Sequence, residues 1–407
     1  MQNSGEIDQP AIIVVGFARA ASLARLLKSI NNAELPPGVQ LLISLDGGAS
    51  ADTVATAREF VFTHGVKDVE LHSQNLGLRE HILWVGDQTG KYGSIVVLED
   101  DILADRYFYH YAVSAIRSYD SDANIAGVAL YSPRANENAH LAFEPLVNNF
   151  SSYFMQIPCS WGQAWTRSQW SNFRDWYDEF ATTNALADID IPQSVKEWPE
   201  SSWKKYFAAY LVHRDKYFSY PYRSYATNCA DAGGSHVKES STFYQVPLAD
   251  QSRPLETFNH DAFSVDGIVY DAYMEPNPRR LSKILGVPPD ELAVDTYGCK
   301  PRELLRKKKF ALTTKRCSET IGATYLTLKP VEQNLCFAGQ PLSQKVAWSG
   351  FRPILTLAES QHVVENKAKF IRLSQYHSYQ RPHLSLFGLQ YFLMLTRKLI
   401  GRLRRLL

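Results

Sequence analysis

The chain of 407 residues is 45% hydrophobic and 21% charged, the proportions of an ordinary soluble globular protein, and is long enough for one large α/β domain with additions or for two domains. A formal net charge of +1 speaks against nucleic acid as a partner, and no apolar run reaches the length that spans a bilayer. Five cysteines (Cys159, Cys229, Cys299, Cys317 and Cys336), odd in number, widely spaced and without a CxxC pair, suit a reduced, cytosolic chain better than a disulfide framework or a zinc site. The polar, acidic start MQNSGEIDQP does not read as a signal peptide.

The first 120 residues repeat one rhythm. AIIVVGF (11–17) is a continuous apolar, β-branched run, as expected of a strand covered on both faces. Ser22 is a candidate N-cap for the segment in which Leu23, Leu26, Leu27 and Ile30 recur at helical spacing. LLISLD (41–46) is the second strand, followed by a helix around 51–63. DVELHS (68–73) is a weaker strand, 78–89 reads as a helix, and SIVVLED (94–100) is the fourth strand. A helix starting near Asp105 presents Phe108, Tyr111, Ala112, Ala115 and Ile116 on one side. Strands alternating with helices predict a mostly parallel, doubly wound α/β sheet.

Such sheets bind ligands at the carboxyl ends of their strands. Arg19 follows the first strand, Asp46-Gly47-Gly48 the second, Asn75, Gly77 and Arg79 the third, and Glu99-Asp100-Asp101 the fourth. Three adjacent carboxylates repel one another, so either water screens them in a solvated acidic turn or a cation neutralises them. A hard divalent cation such as Mn²⁺ or Mg²⁺ takes oxygen ligands and needs only one or two carboxylates when phosphates complete its shell. Polar groups converging on one sheet edge fit a nucleotide site with a metal. GFARAAS lacks the GxGxxG of a dinucleotide fold, and no GxxxxGK[ST] phosphate loop occurs.

Further along, IAGVALYS (125–132) reads as a strand, and Trp170, Phe173, Trp176 or Tyr177, and Phe180 recur at helical spacing, which suits helix core. Residues 192–237 hold a helix, a short strand and a Gly-rich loop ending in His236. Lys300, Arg302, Arg306, Lys307, Lys308, Lys309, Lys315 and Arg316 stand against a single Glu303, either as a solvated face or as a surface for anionic lipid or polysaccharide. FGLQYFLMLTRKLIGRLRRLL (387–407) fits a basic amphipathic helix on an anionic membrane surface, or one packed on the protein's own body or a second subunit.

Several pieces in order resemble a GT-A glycosyltransferase, closest to the N-acetylglucosaminyltransferase I type and its bacterial family 2-like relatives. They are VVGFARAASLARLLKSI, LLISLDGG, NLGLREHILWVGDQ, CSWGQAW, EWPESSWKKY, NCADAGGSH and, most specific, VVLEDDILADRYFYHY with the family's EDD motif. Together they cover about residues 10–240; FALTTKRCSETIGATYLTLKPVEQNL resembles a C-terminal stretch of the bacterial relatives.

The resemblance implies a GT-A domain over 1–260, with a nucleotide half at 10–120 and a mixed α+β acceptor half at 121–260. An extension at 261–385 and a basic helix at 386–407 would follow. It implies that Asp101 coordinates Mn²⁺ or Mg²⁺, that Glu99 and Asp100 contact the ribose or donor sugar, and that Asp46 meets the base. Arg19 and Arg79 would lie at the nucleotide, Trp161 and Gly162 would shape the sugar pocket, and His236 would reach the metal or diphosphate. The family places an acidic base directly after the second Trp of the Trp-Pro…Trp stretch, whereas Lys204 and Lys205 follow Trp203 here. An ammonium ion cannot take a proton from a hydroxyl, which leaves Glu200 and Asp231 as the nearest candidate bases.

The implied activity is metal-dependent, inverting transfer from a nucleoside-diphosphate sugar, by resemblance a UDP-sugar, to a glycan or lipid-linked glycan hydroxyl. The cytosolic chain with its basic tail suits surface-polysaccharide synthesis at the inner membrane face of a bacterium. A sugar-nucleotide pyrophosphorylase and a catalytically degenerate, glycan-binding relative are the alternatives.

Overall fold

A computed structural model describes residues 9–180, 184–231, 242–249, 252–336, 342–343 and 354–364. The expected alternation opens the chain: β1 (Ala11–Gly16), α1 (Ala20–Asn31), β2 (Val39–Leu45), α2 (Ala51–Glu59), β3 (Gly65–Leu71), α3 (Gly77–Asp87), the single turn α4 (Thr89–Tyr92) and β4 (Ser94–Glu99). After β4 come β5 (Ile102–Ala104), α5 (Phe108–Tyr119), β6 (Ile125–Ala129), the small hairpin β7 (Ala135–Asn136) and β8 (Leu141–Ala142), β9 (Ser152–Met155), β10 (Gln163–Thr166) and α6 (Arg167–Phe180). Then follow α7 (Gln193–Lys196), α8 (Trp203–His213), β11 (Tyr217–Pro221), β12 (Ala226–Asn228) and β13 (Val269–Tyr270).

Nine strands form one sheet in the order β13-β9-β11-β6-β10-β4-β1-β2-β3. The four strands β4, β1, β2 and β3 pair in parallel. Beyond β4 the sheet is mixed: β10 runs antiparallel to both β4 and β6, β11 antiparallel to β9, and β11 parallel to β6. Apart from the edge strand β3, the parallel strands are buried on both faces, and β-strand alternation sorts the side chains. Ile12 and Val14 of β1 join Leu23, Leu26, Leu27 and Ile30 of α1 and Phe108, Ala112 and Ile116 of α5 on one face. Ile13 and Val15 join Ile82 of α3, Trp170 and Phe173 of α6 and Phe207 of α8 on the other. The aromatic stripe of 168–180 is helix core, with Trp170, Phe173 and Trp176 buried.

Ser22 is not the N-cap of α1. Arg19 holds that position and Ser22 lies inside the helix, its hydroxyl donating to Asp231. Chain beyond residue 260 contributes β13 to the large sheet, and its core side chains Leu281, Leu292, Val294, Leu312 and Leu355 belong to the same apolar cluster as α6 and α8. A second, four-stranded sheet lies there, from β14 (Leu292–Asp295), β15 (Phe310–Thr313), β17 (Gly322–Tyr325) and β18 (Ile354–Glu359), with β16 (Arg316–Cys317) outside it. The basic run is partly internal: Lys300 is buried and pairs with Asp271, Lys307 pairs with Asp190 at 2.7 Å, and Lys309 lies 3.8 Å from Glu291. All five cysteines are free thiols. Among the described residues no helix is long and apolar enough to cross a membrane. The tail at 387–407 lies outside the described residues, as does His236.

Candidate active site

Strand order reverses at β1, which has β2 on one side and β4 on the other. The crevice beyond the carboxyl ends of β1 and β4 is the position where open α/β sheets take their ligands. Val15 pairs with Glu99, and the Asp100 amide donates to the Val15 carbonyl at 3.0 Å, so the acids begin where the strand ends. Arg19, at the start of α1, reaches across: its Nε donates to Asp100 Oδ2 at 3.3 Å, its Nη2 to Asp100 Oδ1, and its Nη1 to Asp101 Oδ2 at 3.3 Å.

One guanidinium cannot balance three carboxylates. Asp100 is only 3% exposed, and burial, partly offset by Arg19, pushes its carboxyl up to about 6. Burial and the charges of Asp101 and Asp100 push Glu99 well above the ordinary glutamate range. Glu99 Oε1 and Asp101 Oδ1 are buried without a hydrogen-bond partner among the described residues. A solvated turn would show exposed, water-facing oxygens; these are buried acceptors, which is costly unless a cation or donor reaches them. Among the described residues no group of three or more His, Cys, Asp or Glu is arranged to hold a metal ion. The two orphaned oxygens nevertheless fit a divalent cation whose shell is completed by substrate phosphates.

The other expected residues divide into those brought to this crevice and those held elsewhere. β12 pairs antiparallel with β5, and the Cys229 amide donates to the Asp101 carbonyl at 2.8 Å, so the NCAD segment arrives beside the acids. Asp231 there accepts from Ser22 Oγ at 2.7 Å and from both terminal nitrogens of Arg25, whose hydrogen bond holds its carboxyl below the usual range. Asp46 is buried, and its carboxylate accepts from the amides of Gly47 (2.8 Å), Leu76 (2.7 Å) and Gly77 (3.0 Å). It therefore braces the end of β2 against the entrance to α3. Gly47 permits this: a Cβ there would lie 2.0 Å from the Gln74 carbonyl carbon.

Arg79 donates to the Glu200 carbonyl at 2.8 Å and to Tyr206 Oη at 3.3 Å, and lies over the Tyr206 ring, so it ties α3 to the segment before α8. The Glu200 carboxylate is mostly exposed and accepts from Lys205 Nζ at 2.6 Å and from Tyr206; those bonds hold its pKa below the usual glutamate value. Both acids put forward as bases are thus committed to cations, which weakens them as proton acceptors.

Trp161 and Gly162 lead into β10, which sets Gln163 opposite Val97, two residues before Glu99 on β4. Gly162 has φ of +90°, and a Cβ there would come within 3.1 Å of Leu130 and Ala226, so only glycine serves the turn. Trp161 packs edge-on to Tyr131 at 4.8 Å and against Tyr244 at 4.9 Å. Beside it lies a small cavity of about 40 Å³, whose lining includes Tyr131, Glu137, Cys159, Trp161, Trp198 and Lys204. Lys204 and Lys205 diverge: Lys205 turns to Glu200 and the Trp198 carbonyl, while the Lys204 ammonium enters the cavity, 5.6 Å from the Trp161 ring and 5.4 Å from the Trp198 ring. Trp198 is the first Trp of the Trp-Pro…Trp stretch, whereas Glu137 carries no motif of its own; the two meet from chain segments some 60 residues apart.

No protein-family model matches this chain, and no curated protein matches it. Among solved structures it is similar to S. aureus TarS 1-349 in complex with UDP-GlcNAc (12% identity, TM-score 0.36, covering 57% of this chain and 61% of that one). It is also similar to the mannosyltransferase PcManGT from Pyrobaculum calidifontis in complex with GDP-Man and Mn²⁺ (13% identity, TM-score 0.30, covering 40% and 46%). The chain thus spans about half of each of these structures.

Proposed function

We propose that this protein is a glycosyltransferase that moves a sugar from a nucleoside-diphosphate donor, with a UDP-sugar as the first candidate, to a hydroxyl of a glycan or lipid-linked glycan. The observation that carries this reading is the pair of buried, unpartnered oxygens on Glu99 and Asp101 beside Arg19 at the point where strand order reverses. Asp101 would hold Mn²⁺ or Mg²⁺, with His236 as a further candidate ligand; the cation, when bound, neutralises charge on the departing diphosphate. Arg19 supplies fixed positive charge on the same edge. Glu99 and Asp100 would face the ribose or donor sugar, Asp46 would set the loop that receives the base, and Trp161 with Gly162 would wall the sugar. Direct displacement would invert the anomeric carbon. A hexosyl or N-acetylhexosaminyl donor, an acceptor in surface-polysaccharide synthesis and a membrane-surface location through 387–407 belong to the same proposal.

The test is calorimetric titration of UDP and GDP, with and without Mn²⁺, into the wild-type chain and into Asp101→Ala. The expected result is that one nucleotide binds only with the cation and that Asp101→Ala abolishes that binding. Binding of neither nucleotide under any condition overturns the proposal. The product separates it from pyrophosphorylase chemistry, since a transferase releases nucleoside diphosphate and a pyrophosphorylase forms or consumes pyrophosphate.

A further inference from the structure

A direct displacement needs a group to take the acceptor's proton, and the acids nearest in sequence are bound to Arg25, Lys205 and Tyr206. We propose that Glu137, on the β7–β8 turn, is the catalytic base, an inference that rests on the transferase reading above.

The turn is built to hold it. Asn136 is fully buried, and its side-chain Oδ1 accepts from the amides of Asn138 (2.9 Å) and Ala139 (3.1 Å) while its Nδ2 donates to the Tyr273 carbonyl at 3.0 Å. The His140 amide closes the turn onto the Asn136 carbonyl at 2.9 Å. An Asx turn of this kind fixes the backbone of the residue it encloses, and that residue is Glu137. Its carboxylate is the only one lining the cavity beside Trp161 among the described residues. It accepts no hydrogen bond from any described residue, in contrast to Glu200 and Asp231, so its lone pairs are available to a hydroxyl.

Lys204 relates this carboxylate to the acid crevice. Its ammonium lies 3.9 Å from Glu137 Oε1, the loose limit of an ion pair, and its charge also acts on Glu99. The same ammonium lies over the Trp161 and Trp198 rings, 5.6 Å and 5.4 Å from their centroids. An acceptor hydroxyl entering the cavity beside these rings would meet the Glu137 carboxylate, the contact a general base requires. This also gives Lys204 a role at the position where the resembled family carries an acid. It is a positioning residue for an acid that has moved to another loop.

The step balances as follows. The acceptor O–H proton passes to the Glu137 carboxylate. The oxygen's electron pair forms the new bond to the anomeric carbon. The bond from that carbon to the diphosphate oxygen breaks, its electron pair leaving with the nucleoside diphosphate.

The experiment measures UDP release from UDP-N-acetylglucosamine and GDP release from GDP-mannose, with Mn²⁺, using water and a panel of methyl glycosides as acceptors. Wild type, Glu137→Gln and Glu137→Ala are compared, with nucleotide affinity from calorimetry on each. The expected result is turnover by wild type, a loss of about 100-fold or more in kcat for Glu137→Gln at unchanged nucleotide affinity, and recovery of Glu137→Ala by added formate. Glu137→Gln within about threefold of wild type overturns the assignment. So does loss of nucleotide binding along with turnover, which marks a structural role, and so does loss without formate rescue, which marks an acceptor contact only. Absence of wild-type turnover with every donor, by contrast, overturns the transferase reading itself.

Discussion

Replacing Arg19 with Met would test whether the acid cluster is the buried, under-compensated site described above. Asp100 is nearly buried, and its carboxyl sits at about 6 against an ordinary 3.8, burial being the larger cause and Arg19 the main relief. For an acid raised in the folded state, the unfolded chain binds fewer protons between the two values, so stability falls as pH rises through that window. At pH 7.5 ionisation favours the unfolded chain by about 5 kcal/mol and the folded wild type by about 2 kcal/mol, using 1.36 kcal/mol per unit. Without Arg19 the folded value climbs further, and once it passes 7.5 the folded chain gains almost nothing. The electrostatic cost of Arg19→Met is then capped at about 2 kcal/mol at pH 7.5. At pH 5.5 Asp100 is largely protonated with or without Arg19, and the same cost shrinks to about 0.2 kcal/mol. Urea denaturation of both proteins at pH 5.5, 6.5 and 7.5 reads this directly. A destabilisation that is the same at all three pH values refutes the argument, because a packing loss does not titrate.

Glu99→Gln replaces a carboxyl forced upward by burial and by Asp101 and Asp100 with a neutral isostere. It is expected to raise the melting temperature at pH 7 while abolishing cation-dependent nucleotide binding; a lower melting temperature contradicts it. Gly86→Ala, inside α3, would ordinarily stabilise a helix by up to about 1 kcal/mol, but the new Cβ would lie 2.1 Å from the buried Trp170 ring, so a net loss of about 1–3 kcal/mol is expected in urea melts. Asn136→Ala leaves two turn amides and the Tyr273 carbonyl without their partner; it is expected to cost about 1–3 kcal/mol and to reduce kcat with little change in nucleotide affinity.

What the sequence made legible was local. The continuous β-branched run at 11–17 reads as a strand covered on both faces, the apolar runs at 41–46 and 94–100 read as strands, and the acids that follow the last of them mark its carboxyl end. The helix of 167–180 follows from the spacing of its aromatic residues. What the sequence could not show depends on partners distant along the chain. Ser22 reads as a cap because Ser caps helices, yet its hydroxyl is drawn to Asp231, 209 residues away. Asp46 reads as a free carboxylate at a strand end, but three amides from two loops converge on it. Strand–helix alternation predicts a mostly parallel sheet, whereas β10 inserts antiparallel between β4 and β6. Glu137 stands in a polar loop that no periodicity or motif distinguishes.

The choice first posed by the sequence, between a solvated acidic turn and a neutralised one, turns on the burial of two carboxylate oxygens. Water screens acids at little cost on a surface, and evolution has no need to place an arginine on them there. Here Arg19 satisfies Asp100 and one oxygen of Asp101, and leaves one buried oxygen on each of Glu99 and Asp101 unsatisfied. A fold seeking only stability would lose nothing by exchanging these two acids for amides or apolar residues. Their retention in a buried, mutually repelling set has a physical rationale only if the missing positive charge arrives with a ligand, and the strand reversal beside them is where a ligand has room to arrive. The same reasoning separates Glu137 from Glu200 and Asp231. The latter two accept charged hydrogen bonds from Arg25 and Lys205, whereas Glu137, on a turn fixed by Asn136, meets Lys204 only at 3.9 Å and lines the cavity beside Trp161.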